Sequence, residues 1–134
     1  MKVTLFLVSS SNIDDFIEKL EDMDFPGQVE VTHFQMGGYI SGRALVELVE
    51  IIEEKVATST DPVICCFTDT FWLPDESLVE RLEVSLAKPS ILVTLPRNIA
   101  RFPSSIKDSS IVKRGDNTEQ ILKIGIDEVK KLFG

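Results

Sequence analysis

The chain alternates between short apolar runs and longer stretches of helical periodicity from one end to the other. A short apolar run without polar alternation is what a strand covered on both faces requires, and strands joined by helices run parallel. Val3 to Val8 is the first such run. The polar stretch Ser9-Ser10-Ser11-Asn12 breaks it, and Asn12 with Asp15 reads as a helix N-cap. Ile13, Phe16, Ile17 and Leu20 follow at helical spacing, and Asp24 to Gly27 closes that helix. Val29 to Phe34 is the second strand, and the glycine-rich loop Gly37 to Arg43 leads into a helix from about Arg43 to Ala57. Leu45, Val49, Ile52 and Val56 mark its buried face, while Glu47, Glu50, Glu53 and Glu54 mark its wet one.

Pro62 to Phe67 is the most apolar strand and the natural sheet centre. Thr68 to Pro74 is a loop, followed by a helix capped at Asp75 with Leu78, Val79, Leu82 and Leu86 as its stripe. Lys88-Pro89 stops it, and Ser90 to Leu95 is the fourth strand. Pro96 to about Ser110 is the least regular stretch, the kind of long connection that forms lids, binding loops or disordered segments. Ile111 and Val112 supply a short edge strand. A capping box of Asn117 and Gln120 opens the last helix, whose stripe is Leu122, Ile126, Val129 and Phe133. The order βαβαβαβαβα predicts an α/β three-layer sandwich in a single domain over residues 1–134. Its five-stranded parallel sheet has the flavodoxin-like order 2-1-3-4-5.

Composition narrows the function more than the fold. The net charge of −8, from 22 acids against 14 bases, disfavours general nucleic-acid binding or an anionic membrane surface. No apolar run approaches the roughly 18 residues of a membrane helix, and Lys2 to Val8 lacks a signal-peptide cleavage site. A cytoplasmic location is the default expectation. Cys65 and Cys66 are adjacent, so on a strand they point to opposite faces and do not pair. One histidine and one cysteine pair offer no zinc spacing, and no cofactor is expected.

In such sheets ligands bind at the carboxyl ends of the strands, where the strand order reverses. The expected ligand-binding residues therefore lie in the strand-end loops. They are Ser9, Ser10, Ser11 and Asn12 after the first strand, and Gly37, Gly38, Gly42 and Arg43 after the second. Thr68, Asp69 and Trp72 follow the third, and Arg97 the fourth. Glycines let the backbone approach a ligand, a helix start offers free amides, and Arg43 adds a charge, which together suit a phosphate or carboxylate. The loop is neither a Walker A sequence nor a GxGxxG fingerprint, and a plain turn is the competing reading. The serines compete as capping residues, and Phe71-Trp72 as loop packing instead of a stacking platform for a base. His33 is the only histidine, reads as a half-buried strand-end residue, and is not placed for a hydrolytic triad.

The stretch Val63-Ile64-Cys65-Cys66-Phe67-Thr68, a helix bearing Glu80, and Ala87-Lys88-Pro89-Ser90-Ile91-Leu92-Val93 resemble the TIR-like group, which includes nucleoside 2-deoxyribosyltransferases. The likeness spans at most Gly42 to Val93. It implies that Glu80 is the carboxylate acting at an N-glycosidic centre. Arg81 and Leu82 follow Glu80 where that group has small residues, so the resemblance implies nucleotide-type binding more readily than catalysis.

Three functions compete. The leading one is a nucleotide- or phosphate-ligand-binding domain, a sensor or regulatory module. The others are a non-enzymatic, dimerising interaction module and a TIR-like enzyme using Glu80. Charge placement favours a small anionic, nucleotide-like partner. Arg97 to Arg114 holds five bases and one acid inside an otherwise acidic chain. Four of the five arginines, Arg43, Arg97, Arg101 and Arg114, fall at predicted strand ends.

Overall fold

The computed structural model of the chain describes residues 2–10, 12–35, 42–58, 61–69, 81, 91–102 and 111–134. In chain order the elements are β1 (Lys2–Ser9), α1 (Asp14–Asp22), β2 (Gln28–Gln35), α2 (Gly42–Thr58) and β3 (Val63–Phe67), then β4 (Ile91–Thr94), α3 (Pro96–Ile99), β5 (Val112–Arg114) and α4 (Thr118–Phe133). The five strands form one all-parallel sheet in the order β2-β1-β3-β4-β5, a flavodoxin-like α/β fold. The order reverses between β1 and β3, whose register pairs Thr4 with Val63 and Val8 with Phe67.

Side chains alternate across the sheet and build two cores. Phe6, Val8, Val63, Cys65, Phe67 and Leu92 face α2, whose Leu48, Val49, Ile52 and Val56 cover them. Val3, Leu5, Leu7, Ile64, Cys66 and Val93 face α1 and α4, covered by Leu20, Ile121, Leu122 and Val129. Every residue of β3 is buried, as its position in the middle of the sheet demands. Each buried leucine or isoleucine contributes about 1.5–3 kcal/mol of transfer free energy. Cys65 and Cys66 lie in opposite cores as free thiols.

Four expectations need correction. Asn12 does not cap α1. The helix opens at Asp14 with Ile13 as the preceding residue, and Asn12 Oδ1 accepts from the Asp14 amide at 2.9 Å. Ile13 is buried in the core, so the chain must turn inward before helical geometry starts, and the Asn12 side chain braces that turn. Secondly, Pro96–Ile99 is a helical turn that begins the stretch expected to be irregular, with Pro96 suited to a first helical position. It carries Phe102 into the α2-side core. Thirdly, the fully buried face of α4 includes Ile121 and Gly125, while Ile126 and Phe133 are half-buried at its margin toward α1. The fourth concerns β5, which runs over Val112–Arg114; Ile111 precedes it, packs against the α2-side core and accepts from the Leu92 amide through its carbonyl.

Asn117 caps α4, accepting from the Gln120 amide at 2.9 Å, while the Gln120 side chain accepts from the Asp116 amide at 2.9 Å. The helix expected over 75–86 lies outside the described residues except at Arg81. That residue is helical and makes a two-pronged ion pair with Glu53 of α2. No helix among the described residues is long and apolar enough to cross a membrane.

Candidate functional site at the carboxyl pole of the sheet

The loops after β1 and β3 are tied to each other by side chains. The Ser10 amide donates to Asp69 Oδ2 at 2.7 Å, and the Ser10 hydroxyl donates to Asp69 Oδ1 at 2.8 Å. The Thr68 hydroxyl lies 3.0 Å from Asp69 Oδ2 and 3.3 Å from the Val8 carbonyl, donating to one at a time. One carboxylate thus gathers donors from both strands that flank the order reversal. These are charge-assisted hydrogen bonds, the stronger class, so the two loops are held in a fixed relation.

A second set of bonds brings in β4. Asn98, in α3, is wholly buried, and its Nδ2 donates to the Asp69 carbonyl and to Thr94 Oγ1, both at 2.9 Å. Thr94 Oγ1 donates in turn to the Phe67 carbonyl at 3.2 Å. These carbonyls sit at the ends of strands where ladder bonds run out, and the buried amide and hydroxyl satisfy them. The sequence around Asn98 carries no signal for this role. An asparagine after Pro-Arg reads as a surface turn, and nothing local marks it as buried.

On the β2 side, Ser9 Oγ lies 3.1 Å from His33 Nε2. The only histidine therefore stands beside a serine, contrary to what the sequence leads one to expect. The pair matches a nucleophile–base spacing, but Ser9 is only 1% exposed. A nucleophile must reach its substrate, so this buried pair is not itself a hydrolytic centre.

The expected site residues divide as follows. Ser10, Thr68 and Asp69 meet in the cluster, and Ser9, next in the chain to Ser10, lies against His33 instead. Asn12 stands at the outer end of the same loop, bonded to α1. Gly42 opens α2, and the Arg43 side chain extends into solvent with Glu47 at 3.8 Å. Arg97 is exposed on α3, next to Asn98. Arg114 ends β5 and pairs with Asp116 at 3.1 Å. Ser11, Gly37, Gly38, Trp72 and Glu80 lie outside the described residues. Among the described residues, no three histidines, cysteines or acids gather as a metal-binding group.

The arrangement offers a half-buried carboxylate, Asp69, on a rigid floor between β1 and β3, with the exposed guanidinium of Arg97 leading from the neighbouring strand end. A carboxylate of this kind accepts hydroxyl or amine donors, and a guanidinium pairs with an anion. Compared with known proteins, the chain matches no family model, no curated protein and no solved structure.

Proposed function

We propose that the protein is a non-catalytic ligand-binding domain that takes a small nucleotide-like anion at the carboxyl pole of its sheet. The observation that carries this reading is the Ser10–Asp69 latch. It holds the loops at the order reversal, where open parallel sheets bind ligands, in place before any ligand arrives. Asp69 would accept from sugar hydroxyls or a base amine, and Arg97 would pair with phosphate. The resemblance to nucleoside-processing TIR-like domains points to the same ligand class. The buried Ser9 hydroxyl supports binding over hydrolysis.

Thermal unfolding in the presence of mono-, di- and cyclic nucleotides and inorganic phosphate tests it. A ligand at a hundred times its dissociation constant stabilises the fold by about 2.7 kcal/mol, a readily measured shift in Tm. At least one nucleotide should raise Tm, and Arg97→Glu should remove the effect. If no phosphorylated compound shifts Tm, the reading is wrong.

A further inference from the structure

A groove of about 680 Å³ runs between α1 and α4, away from the carboxyl pole cluster. Its floor is apolar, with Phe16, Met23 and Ile126 half-buried and Leu122 beneath. At its lower end, past Met23 and Lys130, it continues to the ring pair of Phe25 and Phe133, whose centroids are 5.8 Å apart. Its rim carries six charges: Asp15 and Lys19 from α1, and Glu119, Lys123, Asp127 and Lys130 from α4. None of these six makes an ion pair among the described residues. Some opposite charges elsewhere on the molecule do meet, as in Lys2–Glu30–Lys55 and Arg81–Glu53.

The order of the rim charges is what identifies an occupant. Both helices follow strands of one parallel sheet, so they descend side by side from the same pole. Going down the groove, the acids Asp15 and Glu119 come first, then Lys19 and Lys123, then Asp127, then Lys130. This sequence of signs, read upward, is its own complement. If a second, antiparallel groove is laid on the first about a two-fold axis near Ile124, Glu119 faces the other copy's Lys130, and Lys123 faces its Asp127. Leu122 then meets Ile126. Both charge pairings and the apolar one are centred on nearly the same point of α4, which is what an isologous contact requires.

We propose that this groove is a self-association surface, and that its occupant is the same groove of a second copy of this chain. The apolar floors bury each other, and the rim pairs set the register and exclude the parallel arrangement, in which like charges would face one another. Nothing in this depends on a ligand at the carboxyl pole.

Sedimentation velocity across a micromolar concentration series provides the test, using the full chain. The wild type should show a monomer–dimer equilibrium. Lys123→Glu and Asp127→Lys each place like charges together twice, by symmetry, and each should weaken dimerisation by at least about tenfold. Mixed one to one, the two variants should form a heterodimer as tight as the wild-type dimer, because the new carboxylate of one copy then meets the new ammonium of the other. Both positions are exposed, and recovery on mixing shows that neither variant is unfolded. A wild type that stays monomeric to high micromolar concentration overturns the proposal. So does a dimer indifferent to either substitution, or a mixture that fails to recover.

Discussion

The sulfur of Cys66 rests against the bare backbone of Gly125: a Cβ built on that glycine would lie 2.7 Å from Sγ. This contact sets how closely α4 approaches the centre of the sheet. Gly125 is in mid-helix, where alanine is ordinarily favoured by about 1 kcal/mol. Here the added methyl must displace a wholly buried sulfur in a packed core, which typically costs about 1–3 kcal/mol. Gly125→Ala is therefore expected to lower the chemical-denaturation midpoint. Combined with Cys66→Ala, which removes the sulfur, it should destabilise less than the sum of the two single substitutions in a double-mutant cycle. Simple additivity would show that the two do not set the helix–sheet distance.

The same burial predicts silent thiols. Desolvation pushes the Cys66 thiol up to about 12, and burial together with neighbouring Cys66 raises Cys65 as well. Only the thiolate reacts with alkylating reagents or disulfides. At mildly alkaline pH both cysteines should resist a thiol-reactive dye in the native protein and react together once denaturant unfolds it. Rapid labelling of either in the folded state would contradict their placement in the two cores.

Asp69 is the hub of the carboxyl pole, and its removal should be felt as stability before it is felt as binding. Asp69→Ala leaves the Ser10 amide and hydroxyl without their partners, in a part-buried setting. Such losses cost about 1–3 kcal/mol. Denaturant titration should show a loss of this size for Asp69→Ala, and a smaller one for Asp69→Asn, which keeps one acceptor oxygen. Ser10→Ala, which loses only the hydroxyl bond, should fall between the wild type and Asp69→Ala. An Asp69→Ala protein as stable as the wild type would mean that the latch does not hold the loops.

The fold was legible in the sequence because its cause is local. Val3 to Val8 and Val63 to Phe67 are apolar at every or nearly every position, and only a doubly covered strand tolerates that. Asn117 and Gln120 mark the start of α4 within four residues of each other. The site was legible only in outline. Ser9, Ser10, Thr68 and Asp69 could be placed at one pole, but the bond between Ser10 and Asp69 spans 59 residues and depends on strand order. His33 reaches Ser9 because β2 and β1 are in a register that pairs Ser9 with Gln35, which no local pattern reports. Asn12 shows the limit at finer scale. Its side chain does brace the start of α1, one position earlier than a cap, because the demand to bury Ile13 outweighed the capping preference.

At the opposite pole, Glu30 of β2 accepts from Lys2 of β1 and from Lys55 of α2, tying sheet to helix. The hydrogen bond from Lys2, then that from Lys55, holds the Glu30 carboxyl below its ordinary value of 4.5. Its partner Lys2 is raised above 10.5, chiefly by the same bond. A carboxyl lowered on folding adds stability that is present above its unfolded value and is lost as pH falls through the folded one. A raised lysine adds stability that is present below its unfolded value and is lost as pH rises through the folded one. The stability difference between wild type and Glu30→Gln should therefore be widest on the plateau between these limits. It should shrink below about pH 4.5 as Glu30 takes up a proton, and again above about pH 10.5 as Lys2 gives one up. The three groups are partly exposed, so added salt should shrink the plateau too. Urea titrations of both proteins at several pH values read the difference directly, and a gap that stays constant from about pH 3 to pH 7 would show that Glu30 contributes nothing through its charge.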